Sequence, residues 1–153
     1  MKKIVSILLS LVTLLSVSLT ALAADTPQIM TNREVITFDN GDYATIETII
    51  DDVSVMSNER ASRSSSKTYT YRNSAGSTLW SFTLKASFSY NGSSSSVTRA
   101  STSYSISNSS WSCDDHYATE SGNTAYGYGS FSSSIQSKDV ELSLTCDKNG
   151  NIR

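Results

Sequence analysis

Cys113, Asp114, Asp115 and His116 stand together in a chain that has only one histidine and two cysteines. These residue types are the best suited to chemistry. A thiol beside an imidazole can act as an activated nucleophile, and Cys with His can ligate zinc. The surroundings carry neither reading. A structural zinc takes four ligands, and this cluster offers two of the usual kind. With so many serines, composition alone puts some Ser near His116 and an Asp, and none sits in a G-x-S-x-G setting. Asp114-Asp115-His116 therefore reads as a polar strand end or turn. Asp147-Lys148-Asn149-Gly150-Asn151 resembles the start of a calcium loop but lacks the later acidic ligand. It reads as a turn, as does Asp39-Asn40-Gly41-Asp42. No catalytic residue, metal ligand or cofactor is assigned.

The N-terminus bounds the compartment. Lys2 and Lys3 precede an apolar run from Ile4 to Leu22, and Ala21-Leu22-Ala23 has the small-x-small pattern that signal peptidase reads. Residues 1–23 are expected to be a secretory leader, cut after Ala23, so the protein is expected to be extracellular and to meet the membrane only through that leader. The other reading is a retained anchor, because the run is about long enough to span a bilayer. Without Lys2 and Lys3 the remaining chain has 10 basic and 14 acidic residues. Its arginines, at 33, 60, 63, 72, 99 and 153, are dispersed, which argues against nucleic acid as a partner.

Cys113 and Cys146 are then an even pair in an oxidising compartment, which reads as a disulfide. Each lies in phase with apolar residues of its own segment: Trp111 for one, Leu142 and Leu144 for the other. Closing a loop of about thirty residues would stabilise the fold by roughly 3 kcal/mol. The rival reading is a free nucleophilic thiol.

The aromatic residues are the best lead to binding. Tyr126 and Tyr128 share one face of a segment whose other face is Gly127 and Gly129, and Tyr69 and Tyr71 share a face of another. Exposed tyrosines on a flat sheet can stack on sugar rings or anchor a protein. Turned inward, the same residues would be core.

The elements that must position these residues are strands. Leu79 to Tyr90 alternates: Trp80, Phe82, Leu84, Ala86, Phe88 and Tyr90 on one face, Leu79, Ser81, Thr83, Lys85, Ser87 and Ser89 on the other. Period two with aromatic residues is the mark of a half-buried strand. One wet and one apolar face imply an antiparallel sheet covered on one side. Of the serines, 29 follow residue 23, and most alternate with apolar residues, as the solvent face of strands would. Arg33–Phe38 and Tyr43–Ile50 flank Asn40-Gly41, a hairpin signal. Residues 51–66 lose periodicity and read as a flexible linker, in which Arg60 and Arg63 could mark a processing site. Further alternating runs cover Thr68–Asn73, Val97–Ser107, Ser109–Thr119 (with Trp111, Cys113, Asp115 and Tyr117 in phase), Thr124–Ser132 and Asp139–Cys146.

The fold expected is all-β: an antiparallel β-sandwich of immunoglobulin-like architecture at 67–153. An N-terminal arm at 24–50 with a hairpin and the linker at 51–66 precede it. The order Trp111, Cys113, Cys146 does not match the Cys, Trp, Cys order of antibody domains, so only the architecture is compared.

The leader, the FDNGDY hairpin, YTYRNSAGSTLWSFTLKASFSYNG and SLTCDKNGNI together resemble small secreted proteins of Gram-positive, Clostridia-like bacteria. The resemblance covers most of the chain after the leader and implies a bacterial, exported, single-domain protein, with no activity and no residue role to transfer. The function expected is non-enzymatic binding of a cell-surface glycan or protein. The alternative is a toxin or bacteriocin-like protein released from a precursor.

Overall fold

The computed structural model describes residues 30–51, 54–56 and 60–153, which form nine β-strands with no helix among them. The expected leader at 1–23 lies outside the described residues. The first sheet holds β1 (Met30–Thr37), β2 (Tyr43–Ile50), β3 (Ser54–Met56), β4 (Arg60–Arg72), β5 (Thr78–Tyr90) and β6 (Ser95–Ile106). Its order is β1-β2-β4-β5-β6, and β3 pairs with β4 beyond the end of β2. The second sheet is β7 (Trp111–Ser121), β8 (Thr124–Ser133) and β9 (Ser137–Thr145). All pairings are antiparallel, and the two sheets pack as the β-sandwich that alternation predicted. Both are meanders, and the chain passes between them once, from Ile106 to Trp111. Immunoglobulin domains use Greek-key connections, so the likeness stops at the two layers.

Two expected boundaries move. Residues 60–66, expected as linker, are the first half of β4. They show no apolar alternation, and backbone pairing from Ala61↔Tyr90 to Ser66↔Lys85 holds them extended. The hairpin is likewise no separate arm. β2 pairs with β4 over Tyr43↔Arg72 to Ile50↔Ser65, which extends the large sheet. Asp42 at the hairpin turn is buried. Its carboxylate accepts from Tyr71 Oη at 2.7 Å, Asn40 Nδ2 at 2.8 Å and the Ser74 backbone N–H at 3.1 Å. A buried carboxylate is tolerated only when hydrogen-bonded this fully, and here it locks the hairpin to the β4–β5 turn.

The core lies between the sheets. Trp80, Phe82, Leu84, Ala86 and Phe88 of β5 are all buried, as their alternation requires. Opposite them are Ala125 and Phe131 of β8 and Val140, Leu142 and Leu144 of β9. Gly127 and Gly129 face inward here. A Cβ at Gly129 would sit 2.9 Å from Phe131 Cε2 and 3.1 Å from Phe82, and one at Gly127 3.0 Å from Thr102 Cγ2. Their missing side chains let β8 approach the large aromatic residues of β5. Tyr126 and Tyr128, being out of phase with these glycines, face outward.

Polar side chains close the sandwich at its margins. Lys67 shares the inward phase of Tyr69 and Tyr71, and its Nζ donates to the Ser143 carbonyl of β9 at 2.6 Å. That contact occupies a free edge carbonyl, one way to blunt an edge strand. Burial lowers the Lys67 pKa, with Glu34 opposing. Arg63 Nη1 donates to the Gly150 carbonyl at 2.7 Å and ties the C-terminal turn to β4.

Candidate functional site

Tyr69 and Tyr71, read from sequence as possible ligand contacts, are core residues. Tyr69 lies stacked on Trp80 at 5.4 Å between ring centroids, and Tyr71 at 5.3 Å. Burial pushes both phenols up to about 12, aided at Tyr71 by the bond to Asp42. The reason is register: the inward phase of β4 faces the small sheet, so neither tyrosine can meet a ligand.

The two cysteines are free thiols, which corrects the expected disulfide. Cys113 pairs with Phe131 near one end of β8, while Cys146 follows Thr145, the partner of Thr124 at the other end. The seven residue steps from Thr124 to Phe131 span roughly 23 Å at strand rise, whereas bridged Cα atoms lie within about 7 Å. Both thiol pKa values are raised, chiefly by burial, with Asp114 and Asp115 adding at Cys113 and Asp147 at Cys146. Raised thiols are poor nucleophiles.

His116 also has a local partner. Its Nδ1 lies 2.9 Å from Thr102 Oγ1 across the β6–β7 seam, and its ring meets Tyr104 edge-on at 4.9 Å. The Asp147 carboxylate accepts from the backbone N–H groups of Asn149 and Asn151 and from Asn151 Nδ2. These bonds hold its pKa below the usual carboxylate value and make the segment the turn expected of it. Among the described residues no group of three or more His, Cys, Asp and Glu could hold a metal ion. Arg60 and Arg63 sit within paired β4, Arg63 with its Nε buried, rather than on an open linker.

A different constellation comes together on the outer face of the small sheet. Strand register sets out three rows across it: Thr119–Tyr126–Ser143, Tyr117–Tyr128–Glu141 and Asp115–Ser130–Asp139. Tyr117 and Tyr128 stack with centroids 5.0 Å apart and planes 26° from parallel. Ser130 Oγ donates to Asp139 Oδ1 at 2.7 Å. Together they line a shallow groove of about 320 Å³ whose charged groups are Asp115, Asp139 and Glu141, all acidic. Loss of water among its neighbours raises the Tyr128 pKa, with Glu141 adding to the effect. The Tyr128 phenol therefore stays protonated and can donate.

Tyr126 and Tyr128 were legible as one face of a strand. Tyr117 was missed, because strict alternation puts it in phase with Trp111. A β-bulge between Cys113 and Asp115 resets that phase. One extra residue sends Trp111, Cys113, His116 and Ala118 inward and Asp115 and Tyr117 outward. No side-chain type in Ser112–His116 announces the bulge. Compared with known proteins, the chain matches no protein-family model, no curated protein and no solved structure.

Proposed function

We propose that this is an exported, non-enzymatic β-sandwich that binds a cell-surface glycan through the outer face of its small sheet. The observation that carries the reading is the stacked pair Tyr117–Tyr128 beside Asp115, Asp139 and Glu141. Tyrosine rings offer flat apolar faces to the C–H face of a sugar, and carboxylates accept from its hydroxyls. A few placed polar groups on an apolar lining are the general makeup of a small-molecule site. Export is supported by Lys2, Lys3, the apolar run and Ala21-Leu22-Ala23. The non-enzymatic part is supported by the engagement of His116 with Thr102 and the raised thiols. A released toxin rested on small size and an open Arg-flanked linker, and Arg63 built into β4 weakens the second of these grounds.

The test is an array of glycans, peptidoglycan and intact cells probed with the protein and with a Tyr117→Ala/Tyr128→Ala variant. Saturable binding to one glycan class that the variant loses is the expected result. Binding that survives the double change would move the site elsewhere, and no binding to any glycan would overturn the reading.

A further inference from the structure

The opposite face of the molecule has a different chemistry. On the outer surface of the large sheet, register sets Ser66–Lys85–Ser101 and Ser64–Ser87–Arg99 as adjacent rows across β4, β5 and β6. These residues line a groove of about 500 Å³. Lys85 and Arg99 are both exposed. As diagonal neighbours on paired strands they are roughly 7–8 Å apart at the backbone. Neither lies within ion-pair distance of a carboxylate among the described residues, where the salt bridge is Arg33–Glu47. Asp51 at the margin is the acidic residue of the lining. Ser64 and Ser87 already share a hydroxyl–hydroxyl bond of 2.9 Å, and such hydroxyls can reorient toward a ligand.

From this we infer that the outer face of the large sheet is a second binding site, which takes an acidic polysaccharide. The chain is net acidic at −2, so two cations on one face with no carboxylate partner among the described residues do not follow from basic composition. They create a local positive field on the side of the sandwich away from Asp115, Asp139 and Glu141. The ligand's oxyanions meet Lys85 and Arg99, and its hydroxyls meet the serines. The groove has no aromatic side chain, which argues against single-stranded nucleic acid, whose bases need stacking platforms. Its apolar residues, Ile49 and Ala86, offer little to insert into a bilayer.

Affinity electrophoresis of the whole protein through polygalacturonate tests this, with neutral dextran, a single-stranded oligonucleotide and anionic phospholipid vesicles as comparisons. Retardation by polygalacturonate alone, weakening as salt screens the charges, is the expected result. Lys85→Gln with Arg99→Gln is expected to lower affinity roughly tenfold, Arg99→Lys to keep most of it, and Lys148→Gln, at an exposed cation that does not line the groove, to leave it nearly unchanged. Both changed positions are exposed, and circular dichroism of the double variant checks that the fold persists. Absence of retardation, equal binding by the double variant, or tighter binding of the oligonucleotide or vesicles would overturn the inference.

Discussion

The ring of Phe131 lies flat on the indole of Trp80, 4.0 Å between centroids and 9° from parallel, and joins the two sheets through a single stack. Both side chains are fully buried, and Trp111 and Tyr71 pack around the indole. Truncating Phe131 to Ala would remove one half of the stack and leave a cavity that the rigid strands close only in part. The expected loss is about 3–5 kcal/mol. Urea unfolding of the variant measures it, and a change under 1 kcal/mol would mean that the sheets are not held there.

Gly129 is a close-approach position. A Cβ there meets Phe131 and Phe82 at 2.9 and 3.1 Å, so Gly129→Ala should destabilise the sandwich by about 1–3 kcal/mol through overpacking. Ser130→Ala, its neighbour on the wet face, should change stability by less than about 0.5 kcal/mol. Equal melting temperatures for the two variants would contradict the packing.

Tyr69 and Tyr71 predict alkaline instability. Their folded pKa values, about 12, lie above the ordinary 10.0. Between those values the unfolded chain loses phenolic protons that the folded protein keeps, so stability falls as pH rises. The contribution is fully present below pH 10 and is lost by about pH 12. Tyrosinate absorbance should show these phenols ionising late, with unfolding. Smooth titration of all eight tyrosines near the ordinary value in a protein that stays folded would contradict their burial.

The thiols predict a redox-insensitive fold. Ellman's reagent should find two thiols per denatured chain, with Cys113 reacting before buried Cys146 in the native protein. Reductant should leave the melting temperature unchanged. A single non-reducible-by-mild-treatment bridge, with no free thiol, would refute the strand register that separates the two cysteines.

On the tyrosine face, Tyr128→Ala should weaken glycan binding by about 1–2 kcal/mol without altering the fold, as titration calorimetry and circular dichroism would show. Tyr69→Ala, by contrast, should lower stability because it empties core space. If both variants lost binding and stability together, the surface reading of Tyr128 would be wrong.

The sequence by itself determined the class of structure and most strand positions. From Trp80 to Ser89 the alternation is so strict that the buried residues Trp80, Phe82, Leu84, Ala86 and Phe88 could be named one by one, because a strand's side chains have period two and one face must leave water; at its ends Leu79, of the wet phase, is buried and Tyr90 only half-buried. Gly127 and Gly129 marked the tyrosines beside them as one face but not which way it pointed, since only the approach of Phe82 and Leu84 settles that. Tertiary structure decided the rest. Residues 60–66 have no apolar pattern of their own, and the strand there exists because β5 supplies its backbone partners. The bulge before Asp115 turns Tyr117 to the surface, and a shift of one residue leaves no trace in composition. Cys113 and Cys146 looked like a pair because two cysteines in an exported chain read as a disulfide, and an even count says nothing of where each lies along its strand. Register, the sum of many backbone bonds made with distant segments, placed them at opposite ends of the sheet and gathered the tyrosines and carboxylates on its outer face.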